Sequence, residues 1–445
     1  MTRTSNDELW VMTADRVADG TGRAARPGTY VGVRGDRIVE TGPVAALTGR
    51  PEARRLEFPG CTILPGLVDS HGHLTFSAGP VPLEDIQAES DGQLVLRAAT
   101  NAREALLAGV TTVRDLAGRG RTTLEVRDAI AAGLIPGPRL LAAGRPITIP
   151  NGHCHFLGGV AKGVKAVRAL AEELIAEGVD VIKVMATGGN MTVTSDPLEP
   201  QFTTEELRAV VEVATAAGRR VTAHARGVKG IRAAVEAGVQ NIEHSRMEVA
   251  PGTWAFDGEL ARLMADKGVT AAVTMAASYR AFQRQEAGGR VGLRPGAIPI
   301  PIRQQNARML REAGVRVVVG TDAGAALARF DEAVHVEMEL LVGAGWTPEE
   351  AIEAGTLGAA VAMGWEKEVG SLEPGKVADI VVVRGDPTRS ISDVRQIECV
   401  VLQGRVVAQS GRLIGDARPT PWPVDEIANR PALTGAKREE ATGLR

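Results

Sequence analysis

The sequence predicts an α/β protein, a (β/α)8 TIM barrel over residues 66–365 carrying a small β-sandwich domain built from residues 1–65 and 366–415. Three observations predict it. Eight short, β-branched apolar runs alternate with Ala- and Leu-rich stretches of helical period through the middle of the chain. Apolar runs punctuated by turn residues occupy both ends and read as hairpins. The chain has 445 residues, more than the ~200 a barrel needs at minimum, which leaves room for a second unit.

Taken in order, WVMTADRVADGTG, YVGVRGDRIVETG and RRLEFPGCTILPG supply the first sandwich strands between Trp10 and Leu64. The barrel strands follow at TILPGLVDSHGH, VTTVRDLAG, RLLAAGRPIT, DVIKVMATGG, RVTAHARG, QNIEHSR, VTAAVTM and VRVVVGTDAG. GQLVLRAATNAREALLAG and TEELRAVVEVATAAG are two of the helices between them. Glycines cluster at helix ends, as in EAGV and AAGR, where a left-handed cap costs least. VGSLEPGKVADIVVVRGDP and IECVVLQGRVVAQSG then return to strand texture. They can meet the amino-terminal strands because a closed barrel brings its own ends together. Residues 416–445, rich in Pro, Arg and Glu, read as a peripheral C-terminal arm.

Composition narrows the function. Lys and Arg number 51 against 54 Asp and Glu, a net charge of -3, so no basic field exists for nucleic acid or an acidic membrane. Aromatic residues, at 3%, are too few for a base-stacking platform. Cys61, Cys154 and Cys399 suit neither a disulfide framework nor a thiolate zinc site, and a cytoplasmic setting is expected. The first ten residues lack an apolar core, and no run of ~18 apolar residues occurs, so neither secretion nor membrane spanning is expected. The expected partner is a small-molecule substrate, with homo-oligomerisation expected for this fold.

The histidines point to the chemistry. All seven lie within the predicted barrel, and six fall at or just after a strand end, on the carboxyl rim where barrel active sites form. His71 and His73 are spaced by two, so an extended chain projects both rings to one side, able to share a metal ion. His224, His244 and Asp322 each close an apolar run. Asp322 alone could cap a helix, whereas capping does not favour imidazole. Lys183 sits inside the apolar VDVIKVMATGG, where an unpaired ammonium would be expensive. It either snorkels or pairs, or its neutral amine takes up carbon dioxide as a carbamate able to bridge two cations. The stretch 188–202, GGNMTVTSDPLEPQF, reads as a lid or pocket wall. His335 and Glu337 read as a polar helix face, and Arg114 with Asp115 as a structural ion pair.

With these motifs the chain resembles the amidohydrolase superfamily, in the binuclear form with a carboxylated lysine. On that resemblance His71, His73, Lys183 as its N6-carboxylated form, His224, His244 and Asp322 hold two divalent metal ions, with zinc expected. TIPNGHCHFLGG, VIKVMATGGNMTVTSDPLEPQFTTEEL and TAHARG are similar to the branch related to imidazolonepropionase that contains Xaa-Pro dipeptidases and other metallo-carboxypeptidases. The implied reaction is hydrolysis of a C–N bond in a dipeptide or N-acyl amino acid by a metal-activated water. Asp322 would carry a proton to the leaving nitrogen, and His153 would donate to the oxyanion. His155, Tyr279, Arg280 and Arg226 are expected near the substrate, one arginine clamping a carboxylate. The alternative reading is hydrolysis of a cyclic amide, lactone, carbamate or organophosphate, since the same nucleophile attacks each. A non-catalytic barrel scaffold is the third class, and the filled ligand set argues against it.

Overall fold

The computed structural model describes residues 8–49, 53–288, 297–325 and 327–414. Residues 416–445, expected to form an arm, lie outside them. Strands from both ends of the chain share one mixed sheet in the order Arg412–Leu413, Arg405–Gln409, Ile397–Leu402, Ile380–Arg384, Arg54–Pro65, Trp10–Val17, Thr29–Arg34 and Arg37–Pro43. Arg54–Pro65 is the junction: it pairs antiparallel to Ile380–Arg384, with Val382 opposite Ile63, and parallel to Trp10–Val17. Met12, Val31, Val33, Ile38, Ile63, Val382 and Val401 form an apolar layer on this sheet. That shared layer is what holds the chain ends together.

Eight parallel strands follow in two sheets. One contains β1 (Leu67–Gly72), β2 (Val110–Asp115) and β3 (Arg139–Ala142). The other contains β4 (Val181–Met185), β5 (Arg220–Gly227), β6 (Asn241–Ala250), β7 (Thr270–Ala272) and β8 (Val317–Val318). Two isolated parallel bridges, Gly72 to Ala323 and Ile147 to Val184, link the sheets. The Ser70 amide donates to the Val319 carbonyl at 3.2 Å, and the Ile147 amide to the Lys183 carbonyl at 2.8 Å, at these two seams. The strands are buried along nearly their whole length, as parallel strands covered on both faces must be. Helices lie between successive strands, among them Asp91–Leu107 and Thr204–Ala216, each opened by a capping box, Ser90 with Gln93 and Thr203 with Glu206. No helix among the described residues is long and apolar enough to cross a membrane.

TILPGLVDSHGH is two strands, because the chain passes from the mixed sheet to β1 at Pro65–Gly66. A Cβ on Gly66 would lie 2.1 Å from Thr111 Oγ1, so only glycine makes that crossing. VTAAVTM and VRVVVGTDAG pair no further than Ala272 and Val318, and their ends run on as loops with left-handed backbone at Thr274 (φ 50°) and Asp322 (φ 60°). His335 and Glu337 are buried, not a solvent-facing polar stripe. Their helix, Ala333–Gly343, is apolar on nearly all sides. His335 Nε2 bonds the Ala108 carbonyl at 2.9 Å, while Glu337 accepts the Met275 and Ala276 amides at 3.0 and 2.6 Å. Burial raises the Glu337 carboxyl to about 8. Arg114 and Asp115 do not pair, since adjacent strand residues face opposite ways; Arg114 reaches Glu243 at 3.1 Å, and Asp115 accepts the Leu74 amide at 2.6 Å.

Candidate metal centre

The carboxyl end of β1 places His71 and His73 with their Nε2 atoms 3.2 Å apart. Asp322 Oδ1 stands 3.5 Å from the first and 3.0 Å from the second. The turn that presents Asp322 is anchored by its own amide on the His71 carbonyl at 2.7 Å. His244 (φ 70°) and Asp322 (φ 60°) both hold left-handed backbone, a conformation that costs a non-glycine residue about 1–3 kcal/mol and gathers at working sites. Lys183, His224 and His244 line the same cavity, about 810 Å³ including its mouth. The ring centroids of His71 and His244 are 5.3 Å apart, those of His224 and His244 4.5 Å, and those of His153 and His224 4.5 Å.

Neighbours fix which nitrogen each ring turns inward. His71 Nδ1 meets Glu243 Oε2 at 2.8 Å, His244 Nδ1 meets Thr274 Oγ1 at 2.7 Å, and His224 Nε2 meets the Gly188 carbonyl at 2.9 Å. Such outer partners orient metal-binding imidazoles and set their tautomers. Burial lowers His71 to about 4 and drives His224 and His244 well below the ordinary histidine range. These rings are therefore neutral, the form that has a lone pair to give. Burial would raise the Asp322 carboxyl, but the hydrogen bond with His73 and the neighbouring His71 and Lys183 hold it well below the usual carboxylate range.

Lys183 is the unusual group. Its Nζ is fully enclosed and has no hydrogen-bond partner among the described residues. Burial, opposed by Glu243 and Asp322, lowers the amine to about 8. An orphaned buried amine beside neutral imidazoles and a carboxylate suits a cation-binding centre, and His71, His73 and Asp322 offer donor atoms all within 4.8 Å of one another. The donor set fits divalent metal.

Glu243 was not singled out in the sequence. It is wholly buried and accepts hydrogen bonds from Arg114 Nη2 at 3.1 Å, Thr222 Oγ1 at 2.5 Å and Asn241 Nδ2, besides its contact with His71. Burial works against its charge, yet His71, Lys183 and Arg114 bring the carboxyl down to about 2. Asp69 braces the same corner, accepting the amides of His71 and Thr321 at 3.1 and 3.0 Å.

Of the residues expected near substrate, His153 lines the cavity. Its amide donates to Gln201 Oε1 at 2.7 Å and its Nδ1 meets Thr192 Oγ1 at 3.1 Å. Both partners come from the 188–202 stretch, which also sends Asn190 and Met191 into the cavity wall. A Cβ on Gly189 would lie 2.4 Å from the His153 ring. Arg226 lines the cavity too, but its guanidinium is forked onto Glu248 at 2.6 and 2.9 Å, which corrects its expected role as a free clamp. His155, Tyr279 and Arg280 do not line it. His155 Nδ1 is bonded to the Gly152 carbonyl at 3.0 Å, and Arg280 pairs with Glu332 because residues 276–286 form a helix that carries it away from the rim. Arg246 and Arg303 stand there instead. Arg246 follows His244 by two, as Arg226 follows His224, a strand alternation readable in the sequence. Arg303 sits on the helix Ile300–Glu312, and no local pattern pointed to it.

Residues 62–407 match the model of the amidohydrolase family. An ochratoxinase of Aspergillus niger is 29% identical over 419 residues, covering 83% of this chain and 79% of that protein. An imidazolonepropionase of Symbiobacterium thermophilum is 27% identical over 425 residues, covering 88% and 92%. Among solved structures, that of a Xaa-Pro dipeptidase with methionine bound in its active site superposes with a TM-score of 0.80 at 27% identity, covering 90% of this chain and 99% of that one.

Proposed function

We propose that this chain, which belongs to the amidohydrolase family, hydrolyses the C–N bond of a small peptide-like amide, a dipeptide or an N-acyl amino acid. Its homologues in the family are hydrolases acting on C–N bonds. The observation that carries the reading is the one cavity that gathers His71, His73, Lys183, His224, His244 and Asp322. We read the two parallel sheets as an eight-stranded (β/α)8 barrel over 66–365, supported by the bridges at Gly72 and Ile147. The mixed sheet of 1–65 and 366–415 is then a β-sandwich set against it.

On this reading His71, His73, His224, His244, Asp322 and a carboxylated Lys183 hold two divalent ions, zinc being the expected metal. Metal held by these residues would supply Lewis-acid polarisation of the substrate carbonyl and a water of lowered pKa. The Lys183 amine is suited to carboxylation: lowered to about 8, it keeps a neutral fraction whose lone pair attacks carbon dioxide, with loss of a proton. Asp322 stays ionised, so it can take a proton and pass it to the departing nitrogen, which leaves poorly as an anion. A Thr192 hydroxyl donating to His153 Nδ1, 3.1 Å away, would leave the ring proton of His153 on Nε2 as a donor for the oxyanion.

The test is a screen of dipeptides and N-acyl amino acids with protein loaded with zinc in bicarbonate. Lys183→Ala should lose both metal, read by elemental analysis, and turnover. A Lys183→Ala protein that keeps two ions and full rate refutes the centre.

A further inference from the structure

We infer that Arg246 and Arg303 form a carboxylate-binding subsite, and that the amide cleaved here bears two carboxylates, as an acyl or aminoacyl derivative of an acidic amino acid does. The inference rests on the amide-hydrolase reading and names its substrate class. Arg226, Arg246 and Arg303 all line the cavity of the metal centre and are 3%, 7% and 3% exposed. Among the described residues one carboxylate, Glu248, lies within ion-pair distance of two of them. Glu248 is forked onto Arg226, and the same Oε1 lies 3.8 Å from Arg246 Nη1. Arg303 has no carboxylate within ion-pair distance among the described residues; its Nε donates to the Ile298 carbonyl at 2.9 Å and its head lies 5.7 Å over the Phe282 ring.

The remaining guanidinium atoms are the ones that matter. Arg246 Nε and Arg303 Nη1 are buried with no hydrogen-bond partner among the described residues. Asp322 and Glu337 act on Arg303, and Asp322 on Arg246, only from beyond ion-pair distance, so both guanidiniums stand at the cavity wall short of the direct counter-charge that an enclosed charge needs. The planar fork of arginine matches carboxylates in particular. Behind the pair a narrow crevice with room for about one water-sized group shares His244, Arg246 and Arg303 and is walled by Trp254, Ile302 and Asn306. That wall is fixed, since Trp254 Nε1 donates to Asn306 Oδ1 at 3.0 Å and Asn306 Nδ2 to the Ser245 carbonyl at 2.9 Å.

The experiment compares kcat/KM of the zinc-loaded enzyme on N-acetyl-glutamate and N-acetyl-glutamine, and on Ala-Glu and Ala-Gln. The acidic member of each pair should be favoured by at least ~30-fold, a loss of one charge-assisted contact in the neutral one. Arg303→Met and Arg246→Met should collapse that ratio at least tenfold, chiefly through KM, with metal content retained. Calorimetry of glutarate against butyrate on the wild-type holoenzyme reads the subsite without turnover, and Arg303→Lys serves if the Met variants fail to fold. Glutarate binding that weakens tenfold in an arginine variant, with no amide cleaved, upholds the subsite and overturns the amide reading. Amide cleavage without acidic preference, with glutarate no tighter than butyrate, overturns the subsite and leaves the amide reading standing.

Discussion

Glu243→Gln tests whether the buried carboxylate beneath the centre holds His71 in place. The substitution keeps size and shape but removes a charge that faces His71 Nδ1 at 2.8 Å and Arg114 at 3.1 Å, with both the arginine and the glutamate enclosed. Two routes give the magnitude. Breaking a buried ion pair while leaving one partner charged costs roughly 3–5 kcal/mol. Independently, the Glu243 carboxyl is depressed from 4.5 to about 2, and a depression of that size corresponds to about 3 kcal/mol of folding stability. The sign follows from the direction: this stability is fully present above pH 4.5 and is lost as pH falls through about 2. Thermal unfolding of metal-free wild type and variant should therefore differ by several degrees at pH 7 and converge at acid pH. A freed His71 ring should also weaken metal affinity by about 10–100-fold, the usual cost of an outer-shell partner, measured by chelator competition. Equal melting temperatures at pH 7 together with unchanged metal affinity would refute the assigned role.

Two further expectations concern the neighbouring groups. Gly189→Ala should push the His153 ring aside and so reproduce the loss expected of His153→Asn, about 100-fold in kcat with metals retained, in steady-state assays paired with elemental analysis. Activation of metal-free protein by zinc, at a fixed concentration of dissolved carbon dioxide, should accelerate from pH 7 to about 8 and then level off, because only the neutral Lys183 amine reacts and it predominates above about 8. A pH-independent activation rate would count against the carbamate.

Strand-end histidines were legible because a polar residue closing an apolar run needs no tertiary knowledge to notice. His71, His73, His224 and His244 all announce themselves in that way, and the cavity gathers them. Glu243 did not, although it adjoins His244, because its partner Arg114 lies 129 residues away and nothing local marks a charge as paired across strands. Tyr279 and Arg280 were misplaced for a related reason. The apolar run VTAAVTM extends past the strand it marks: pairing stops at Ala272 and a helix takes over at Ala276. The joining of the chain ends in one sheet was readable from hairpin texture, but its turning point at Gly66 was not, since the obstacle there is a threonine on another strand.

Gln201 ties three pieces together: its carbonyl oxygen takes the His153 amide, while its amide nitrogen bonds the Met185 carbonyl at 2.7 Å and Thr148 Oγ1 at 3.0 Å. The stretch that shapes the pocket is thereby bolted to the loop of His153 and to the strand of Lys183. Grafting a foreign segment over 188–202 to alter selectivity would unseat that histidine along with the wall. Engineers should exchange 151–155 and 188–202 as a single cassette, and natural drift in one is expected to drag the other with it.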